Sequence, residues 1–491
     1  MSTSLPSPSP TPLSHYVLPS VPTLAASRTS LHTHLPAHGH GDFETQYHLL
    51  HTIVPALNSS SKSPHYYGFV TGGATPIAAF ADHLVTEHDQ NVQVHLPNES
   101  IATDVEAAAL QMVAELIDPV HIGAEGSEWR HRTFTTGATA SNVLGLALGR
   151  EFVVQQAGLK ATGSLSRCSV ADNGLFDAMR AAGLEKIQIL TSTPHSSLRK
   201  AASLAGLGRS CLIDIGHADA SHRIDLTKLE SALQTPRTAS IIAISAGEVN
   251  TGFFATNGPL MSSIAALAAK YNAWIHVDAA FGLPASLLPP TPEFETVREG
   301  VQNLHLAHSI TADAHKMLNV PYDCGIFFSR YLDLAVQVCQ NPNAAYLASG
   351  PDGGVPSPLN IGIENSRRFR ALPVYASLTS LGRDGYTNMI VRQVRLARKI
   401  AAYIDSHPGL ELLNGGAKGG VYNIVLFRAK SVGLNAELTS KINATRIVYV
   451  SGTVWRGEGA TRIAVANWGV DVDRDFEVVK GVLDDVLEGM D

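Results

Sequence analysis

The sequence predicts an α/β protein with a large domain on a mostly parallel sheet and a small α/β domain at the C-terminus. Between about residues 130 and 330, short apolar runs alternate with helical patterns. This alternation is typical of strands joined by helices that cover both faces of a parallel sheet. From about Leu396 the pattern changes, and a second set of apolar runs precedes one long amphipathic segment. The change indicates a separate, smaller unit.

The individual elements follow from apolar runs for strands and from apolar residues at helical spacing for helices. In the large domain, we expect strands at Thr133–Thr135, Lys186–Leu190, Cys211–Ile215, Ser240–Ser245, Trp274–Val277 and Cys324–Ser329. We expect helices at Pro76–Leu84, Thr103–Ile117, Asn142–Arg150, Pro194–Leu204, Asp225–Leu233 and Pro259–Tyr271. In the small domain, we expect strands at Tyr422–Phe427, Arg446–Val450 and Thr461–Ala466, then a helix at Asp473–Leu487.

Four segments are expected along the chain. Residues 1–40 are rich in Pro, Ser and His and are expected to form a disordered tail. Residues 41–115 are expected to form an N-terminal helical segment, residues 116–390 the large domain and residues 391–491 the small domain.

Composition and charge exclude several classes of function. The formal net charge of −7 offers no basic surface, so a nucleic-acid partner is not expected. No apolar stretch is long enough to span a membrane. The four cysteines are scattered, so we expect no metal site and no disulfide framework, and a cytoplasmic location.

Two residues stand out as candidates for chemistry. Lys316 lies between His315 and Met317 in an apolar neighbourhood, just before a predicted buried strand. Because burying an ammonium is costly, one solution is a lysine whose pKa falls and whose amine reacts with an aldehyde. The alternative is a lysine whose amine reaches the surface. Asp278 ends another predicted strand, where a carboxylate either faces the ligand crevice of an open sheet or caps the next turn.

The motifs around these two residues resemble a known family. HVDAA at 276–280 and DAHKMLNVPYDCG at 313–325 together look like the group II pyridoxal-phosphate decarboxylases, which include aromatic amino acid, histidine and glutamate decarboxylases. The resemblance runs from about Tyr66 to the C-terminus. It implies a fold-type I architecture with a sheet of the seven-stranded type, pyridoxal 5'-phosphate as cofactor, an amino acid substrate and a homodimer. It also implies that Lys316 holds the cofactor as a Schiff base, and that Asp278 pairs with the pyridinium nitrogen.

The resemblance places the cofactor phosphate at the turn after the first strand of the large domain. Ala138, Thr139 and Ala140 are the expected contacts there. Small residues at a helix N-terminus leave backbone N–H groups free for an anion, which supports this placement.

Further site residues are carried over from the family pattern. His195 is expected to stack on the cofactor ring and to contact the substrate carboxylate. The expected contacts around the cofactor ring are His195, Asp278, Ala280, Asp313, His315 and Lys316. The expected substrate contacts are Phe69, Thr71 and His195.

Two positions bear on the outcome of the reaction. The resemblance assigns Tyr346, in a loop rich in Gly and Pro, as the acid that protonates Cα, so that the catalytic residues are Lys316, His195, Asp278 and Tyr346. Glu248 departs from the family, in which relatives carry threonine or asparagine near this position.

The expected function is decarboxylation of an L-amino acid to its amine and CO₂, with an aromatic amino acid as the first expectation. Two other enzyme functions stay open: an aldehyde synthase that combines decarboxylation with oxidative deamination, and a threonine-aldolase-like C–C lyase. The alternative from another class is an inactive cofactor-binding protein that serves as an interaction partner. The four catalytic residues together argue against that alternative.

Overall fold

The computed structural model describes residues 16–163, 166–341, 354–415 and 420–489. Its strands are β1 (His131–Thr135), β2 (Lys186–Thr191), β3 (Leu212–Asp214), β4 (Thr238–Ser245), β5 (Trp274–Asp278), β6 (Ser309–Asp313), β7 (Gly325–Ser329), β8 (Leu410–Leu412), β9 (Ile424–Ala429), β10 (Ser451–Trp455) and β11 (Glu458–Ala464). Its α-helices are α1 (Val21–Thr29), α2 (Gly41–His48), α3 (Pro76–His88), α4 (Ala102–Ile117), α5 (Ala138–Thr162), α6 (Val170–Asn173), α7 (Leu175–Ala181), α8 (Ser196–Leu204), α9 (Leu226–Leu233), α10 (Gly258–Tyr271), α11 (Glu295–Glu299), α12 (Ala314–Met317), α13 (Leu332–Cys339), α14 (Ala371–Ser406), α15 (Val432–Ala444) and α16 (Val472–Glu488).

A seven-stranded sheet forms the centre of the large domain, in the order β1-β7-β6-β5-β4-β2-β3. The neighbours from β6 to β3 pair in parallel, whereas β7 runs antiparallel to both β1 and β6. The predicted mostly parallel sheet is therefore confirmed.

The two faces of this sheet are both buried. Ile241 and Ala243 of β4 pack in one apolar core with residues of α5, whereas Ile242 and Ile244 pack in a second core. Because side chains alternate along a strand, a strand with both faces covered reads as a continuous apolar run. This is why β4 was recognisable from its sequence.

The carboxyl ends of three neighbouring strands bring polar side chains together. Ser245 at the end of β4 pairs in register with Asp278 at the end of β5, and Asp278 pairs with Thr311 of β6. β6 ends two residues later at Asp313, and the short helix α12 with Lys316 follows directly. Polar and charged side chains from separate parts of the chain therefore meet at one edge of the sheet.

Helix α14 connects the two units of the chain. It bends at Gly382, whose φ of 57° lies in the left-handed region. Its apolar residues up to Val394 belong to the core of the large sheet, and those from Leu396 onwards belong to the core of the small one. The predicted domain boundary at 390/391 thus falls inside a continuous helix, near the point where its partners change.

The small unit is built on a four-stranded antiparallel sheet, in the order β10-β11-β9-β8. The predicted strand at Arg446–Val450 is wrong, because the strand begins at Ser451. A two-residue turn at Arg456 and Gly457, both with positive φ, closes a hairpin in which Trp455 faces Glu458. The turn sets the register, and residues 446–450 make only an isolated bridge from Tyr449 to Tyr66.

The described N-terminal region contains short helices separated by non-helical segments. Within the stretch predicted as a tail, Val21–Thr29 forms α1, which begins where the side chain of Ser20 accepts the N–H of Thr23. Among the described residues, no helix is long and apolar enough to cross a membrane.

Candidate active site

A cavity of about 540 Å³ opens at the carboxyl ends of β4, β5 and β6. It brings together most of the residues that the sequence predicted for the site. These are Phe69, Ala138, Thr139, Ala140, His195, Asp278, Ala280, Asp313, His315 and Lys316. Thr71 is not on the cavity wall, and its hydroxyl donates to the carbonyl of Gly68 (3.0 Å). Tyr346 lies outside the described residues.

Lys316 presents its amine to this cavity from α12. Its Nζ lies 2.8 Å from Oδ2 of Asp313, which is three residues earlier and buried. The ring of Phe281 lies 5.9 Å from the same amine. Asp313 therefore holds the amine of Lys316 at a fixed place on the cavity wall.

Asp278 is held in place by two N–H donors. The side-chain amide of Asn142 donates to Oδ2 (2.8 Å), and the backbone N–H of Ala280 donates to Oδ1 (3.2 Å). Both contacts fix the orientation of the carboxylate. A carboxylate fixed in this way can accept one further hydrogen bond from a cationic ring nitrogen.

His195 is the N-cap of α8, where its Nδ1 accepts the backbone N–H of Ser197 (3.1 Å). The side chain lines the cavity and is exposed there. Partial burial lowers the pKa of His195, and the charge of Asp278 opposes that shift. A neutral imidazole at this place can stack on a planar aromatic ring.

The N-terminus of α5 fits an anion such as a phosphate. Helix geometry leaves the N–H groups of Ala138, Thr139 and Ala140 without acceptors in their own helix. The N–H of Ala138 donates to Oδ1 of Asp313 (2.6 Å), so a negative oxygen already lies at this helix end. The cavity therefore contains backbone N–H donors that suit a phosphate, an amine that suits an aldehyde and a carboxylate that suits a ring nitrogen. These are the groups that pyridoxal phosphate requires.

His315 supports the same corner of the cavity. Its Nδ1 accepts the backbone N–H of Cys324 (3.1 Å), and its Nε2 lies 3.7 Å from Oδ2 of Asp313. Burial lowers the pKa of His315, whereas Asp313 raises it. Burial also raises the pKa of the Cys324 thiol far above its usual range, so this cysteine is not a nucleophile.

Sequence reasoning missed Arg462, which lines the cavity from β11. Its Nε and Nη1 donate to the carbonyls of Val249 and Phe69. Its Nη2 is buried and has no hydrogen-bond partner among the described residues. Burial lowers the pKa of Arg462 to about 10, and Glu248 opposes that shift, so the side chain is a cation at neutral pH. An arginine inside the apolar run of β11 was the signal that could have found it.

Glu248, the residue that departs from the family pattern, also lines the cavity and is buried. Its Oε2 accepts from the N–H (2.9 Å) and the hydroxyl (2.8 Å) of Thr251. Its Oε1 accepts from the side-chain amide of Asn250 (3.3 Å). The cavity thus contains a buried carboxylate in addition to Asp278 and Asp313.

A glycine-rich loop lies directly against the backbone of Lys316. A Cβ at Gly72 would overlap the carbonyl oxygen of Lys316. Asn319 holds the two segments together, because its amide donates to the carbonyls of Gly72 (2.6 Å) and Ala466 (2.8 Å). The position of Lys316 therefore depends on a residue more than 200 positions away in the sequence.

We expect Gly72→Ala to lower the free energy of unfolding by about 3 kcal/mol, since the added methyl group meets backbone that cannot move aside. Denaturant unfolding of the apoprotein measures the change. The matched control is Gly481→Ala in α16, where a Cβ meets nothing within 4 Å. That variant is expected to gain about 1 kcal/mol from helix propensity. Equal stabilities of the two variants would contradict the close approach.

Three potential metal ligands lie outside this cavity. Asp118, His121 and His305 bring their ligand atoms within 4.8 Å of one another. The two imidazole rings, however, stack in nearly parallel planes with centroids 3.6 Å apart. Their lone pairs therefore do not converge on one point, and the cluster is a stacked pair beside a carboxylate.

The fold and the site together define a pyridoxal-phosphate enzyme of fold type I. The chain belongs to the pyridoxal-dependent decarboxylase family, whose conserved domain matches residues 44–430. Pyridoxal phosphate is therefore its cofactor, and its class of activity is that of a carboxy-lyase acting on an amino acid.

Curated relatives share this family. The chain is 28% identical to the L-2,4-diaminobutyrate decarboxylase of Acinetobacter baumannii over 73% of its own length and 68% of that enzyme. It is 30% identical to the L-2,4-diaminobutyrate decarboxylase of Rhizobium meliloti over 69% of its own length and 60% of that enzyme.

Solved structures share the fold. The structure of Oryza sativa TDC with PLP and tryptamine superposes with a TM-score of 0.79 at 20% identity, and the match covers 97% of this chain and 94% of that one. The glutamate decarboxylase domain of a two-activity protein from Vibrio parahaemolyticus gives a TM-score of 0.74 at 20% identity, over 96% and 91% of the two chains.

Proposed function

We propose that this chain removes the α-carboxylate of an L-amino acid as CO₂ and releases the corresponding amine. One observation carries the proposal: the Lys316 amine, the Asp278 carboxylate and the N-terminus of α5 all open on one cavity. When bound, pyridoxal phosphate supplies a carbonyl for the substrate amine and a ring that accepts the electron pair left by CO₂.

The described residues divide the work of holding that cofactor. Lys316 would hold its carbonyl carbon, and Asp278 would face its ring nitrogen. His195 stacks on the ring, while Ala280 fixes the carboxylate of Asp278 through its N–H. Thr139 and Ala140 would donate backbone N–H groups to the phosphate next to Ala138, whose own N–H is held by Asp313, and Asp313 and His315 position the lysine. Tyr346 remains, from the sequence, the proposed acid that protonates Cα.

Arg462 is the proposed partner of the substrate carboxylate. Its buried Nη2 has no hydrogen-bond acceptor among the described residues. The geometry of a guanidinium matches a carboxylate as acceptor. Two of its nitrogens are already anchored to the carbonyls of Val249 and Phe69, so the third is held in a fixed direction.

Two substrate classes are supported by different observations. Phe69, Phe281 and Tyr322 line the cavity, which favours an aromatic amino acid. The buried carboxylate of Glu248 instead favours a substrate whose side chain carries a positive charge. The two relatives from Acinetobacter and Rhizobium are named for diaminobutyrate, which supports the second class.

A panel of L-amino acids tests both the reaction and the substrate class. CO₂, amine, aldehyde and ammonia are measured separately for aromatic, acidic and cationic substrates. We expect CO₂ and amine in equal amounts; aldehyde with ammonia would instead indicate an oxidative outcome. Glu248→Gln should weaken turnover of cationic substrates more than that of aromatic ones if Glu248 selects charge. Absence of CO₂ release from every substrate would overturn the proposed function.

We also propose a homodimer with the N-terminal region at the interface. Most large apolar side chains that are exposed in the chain lie between residues 16 and 101. They include Val21, Leu35, Phe43, Tyr47, Leu49, Leu50, Leu57, Phe80 and Ile101. Such a concentration on one stretch is typical of a surface that a second subunit covers.

The dimer prediction is checked by light scattering, which should give twice the chain mass of 52.2 kDa. Changing Phe43 and Leu50 together to glutamate should shift the mass toward that of one chain. Val432→Glu is the matched control, because this valine is equally exposed but lies on α15 in the small unit. An active wild-type monomer at assay concentration would end the dimer proposal.

A cytoplasmic location is proposed as well. Cys168, Cys211, Cys324 and Cys339 are all free thiols, as is usual in a reducing compartment. Subcellular fractionation of the native host, with a cytoplasmic marker enzyme as reference, tests the location.

A further inference from the structure

A chain of buried polar groups connects to Asp278, and one of its members, Ser197, also lines the cavity. Its members come from α5, α8, β5 and β6 and are almost fully excluded from solvent. They are Asn142, Ser197, Trp274, His276 and Ser309. Buried polar groups of this kind must be hydrogen-bonded to one another, and here each contact fixes the next.

We propose that Asn142 is a positioning residue whose single amide sets the orientation of the Asp278 carboxylate and the tautomer of His276, and supports the Ser197 hydroxyl that bonds His195. The inference rests on the proposed function for the role of Asp278 and His195. It assigns a task to a residue that does not line the cavity.

The orientation of the amide follows from Asp278. Asn142 Nδ2 lies 2.8 Å from Oδ2 of Asp278. An ionised carboxylate only accepts hydrogen bonds, so the nitrogen of the amide must face it. The oxygen Oδ1 of Asn142 must then face the other way, where it lies 2.8 Å from Nε2 of His276.

The tautomer of His276 follows in turn. Because an amide oxygen only accepts, Nε2 of His276 must carry the proton. Burial lowers the pKa of His276 to about 4, so the ring is neutral near pH 7 and has no second N–H. Its Nδ1 therefore accepts from the hydroxyl of Ser309 (2.8 Å), and that oxygen accepts from Nε1 of Trp274 (3.2 Å).

The same amide also acts on His195. The second hydrogen of Asn142 Nδ2 points to Oγ of Ser197 (3.2 Å). The hydroxyl hydrogen of Ser197 is then free to donate to Nδ1 of His195 (2.7 Å), which also accepts the Ser197 backbone N–H. Neutral His195 must therefore carry its proton on Nε2, and this is the ring N–H that remains for a ligand.

In this series of hydrogen bonds, each residue donates to the next one toward Asp278. The order is Trp274, Ser309, His276, Asn142 and Asp278. Hydrogen bonds aligned in one direction strengthen one another. The aligned donors end at the carboxylate of Asp278, an arrangement that would favour a proton on the ring nitrogen when the cofactor is bound. Because His276 hydrogen-bonds Asn142 and not Asp278 in the described chain, its hydrogen-bonding influence on Asp278 passes through the amide, beside the direct electrostatic interaction of the two side chains.

The proposal is tested with Asn142→Leu, which keeps the branched shape of the side chain and removes both donors. We expect the apoprotein to bind pyridoxal phosphate roughly 10- to 100-fold more weakly, the effect of losing a hydrogen bond to a charged group. With cofactor labelled by ¹⁵N in the ring, the nitrogen resonance should move from the protonated toward the neutral position. Unchanged affinity together with an unchanged resonance would overturn the proposal.

A matched control separates positioning from general destabilisation. Asn414 is equally buried, but its amide bonds only backbone groups of Thr251, Ile424 and Leu426. Asn414→Leu should lower stability without moving the ¹⁵N resonance. If it moves the resonance as far as Asn142→Leu does, the effect is structural and the inference is wrong.

Variants of His276 keep the proposal falsifiable even if Asn142→Leu does not fold. His276→Phe removes the donor to Asn142, whereas His276→Gln retains an N–H at that end of the side chain. We expect a shifted resonance in the first and a largely restored one in the second, and no further loss when His276→Phe is combined with Asn142→Leu. Equal ¹⁵N resonances in the two His276 variants, or additive losses of cofactor affinity in the double variant, would contradict the proposal that His276 acts through Asn142.

These measurements need no turnover. If wild-type protein shows the expected resonance but releases no CO₂ from any amino acid, the proposed function fails while the positioning role stands.

Discussion

Lys316→Ala is expected to abolish covalent attachment of pyridoxal phosphate and to lower decarboxylation by roughly 10⁴-fold or more, the scale seen when a covalent catalytic group is removed. In the structure, Lys316 is the lysine whose amine opens on the cavity, beside the N-terminus of α5 and opposite Asp278. The visible absorption band of the wild type and its trapping by borohydride measure attachment, and mass spectrometry of the reduced protein locates the modified peptide.

The matched control for this variant is Lys228→Ala. Lys228 is an exposed lysine whose amine is also held by a hydrogen bond, but it donates to the carbonyl of Gly216 rather than to a cavity residue. The control should retain the band and the activity. A Lys316→Ala protein that still carries reducible, covalently bound cofactor would show that another lysine is responsible.

The centre of this site could be predicted from the sequence because its parts lie at the ends of buried strands. Asp278 and Asp313 end β5 and β6, and Lys316 follows on the next turn. Apolar runs locate parallel strands, and the carboxyl ends of such strands meet at one edge of the sheet. For Asp278 this reasoning was enough. β6 was not among the strands predicted from the sequence, so Asp313 was assigned to the site only through the family resemblance, and Lys316 through its apolar neighbourhood together with that resemblance.

The rest of the site depends on contacts that no local pattern encodes. Arg462 reaches the cavity from the small sheet, 146 residues after Lys316 (462 − 316), and its position depends on how α14 joins the two units. Asn142 was placed in a helix, yet its task follows from which way its amide faces, and only the distances to Asp278 and His276 show this.

The error at Arg446–Val450 has a similar origin. The apolar residues there suggested a strand, but Val448 and Val450 are buried in the core of the small unit without pairing in its sheet. Burial makes a segment apolar whether or not it is a strand, so periodicity alone cannot separate the two. Arg456 and Gly457, which have positive φ, form the turn of the hairpin. Its first strand therefore lies directly before them, at Ser451–Trp455, and not at 446–450.

Asp278→Asn is expected to keep the fold and some cofactor binding but to lower decarboxylation by roughly 10²–10³-fold, the range for removing one preorganised electrostatic contact. Asp278 accepts hydrogen bonds from Asn142 and Ala280 and, when the cofactor is bound, from its ring nitrogen. An asparagine has one acceptor oxygen and one donor group, so at least one of these three donors meets another donor. It also lacks the negative charge that holds the proton on the ring. Turnover, cofactor affinity and the ¹⁵N resonance of the bound ring measure the three consequences separately.

The control for this variant is Asp214→Asn at the end of β3 in the same sheet. Asp214 is also a strand-end aspartate and accepts the N–H of Gly216 (2.8 Å), but it does not line the cavity. The same chemical change should leave turnover there unaltered, because only a turn is involved. Wild-type turnover in Asp278→Asn would remove Asp278 from its proposed role. If turnover falls while the ring nitrogen stays protonated, Asp278 contributes through alignment of the ring and not through its charge.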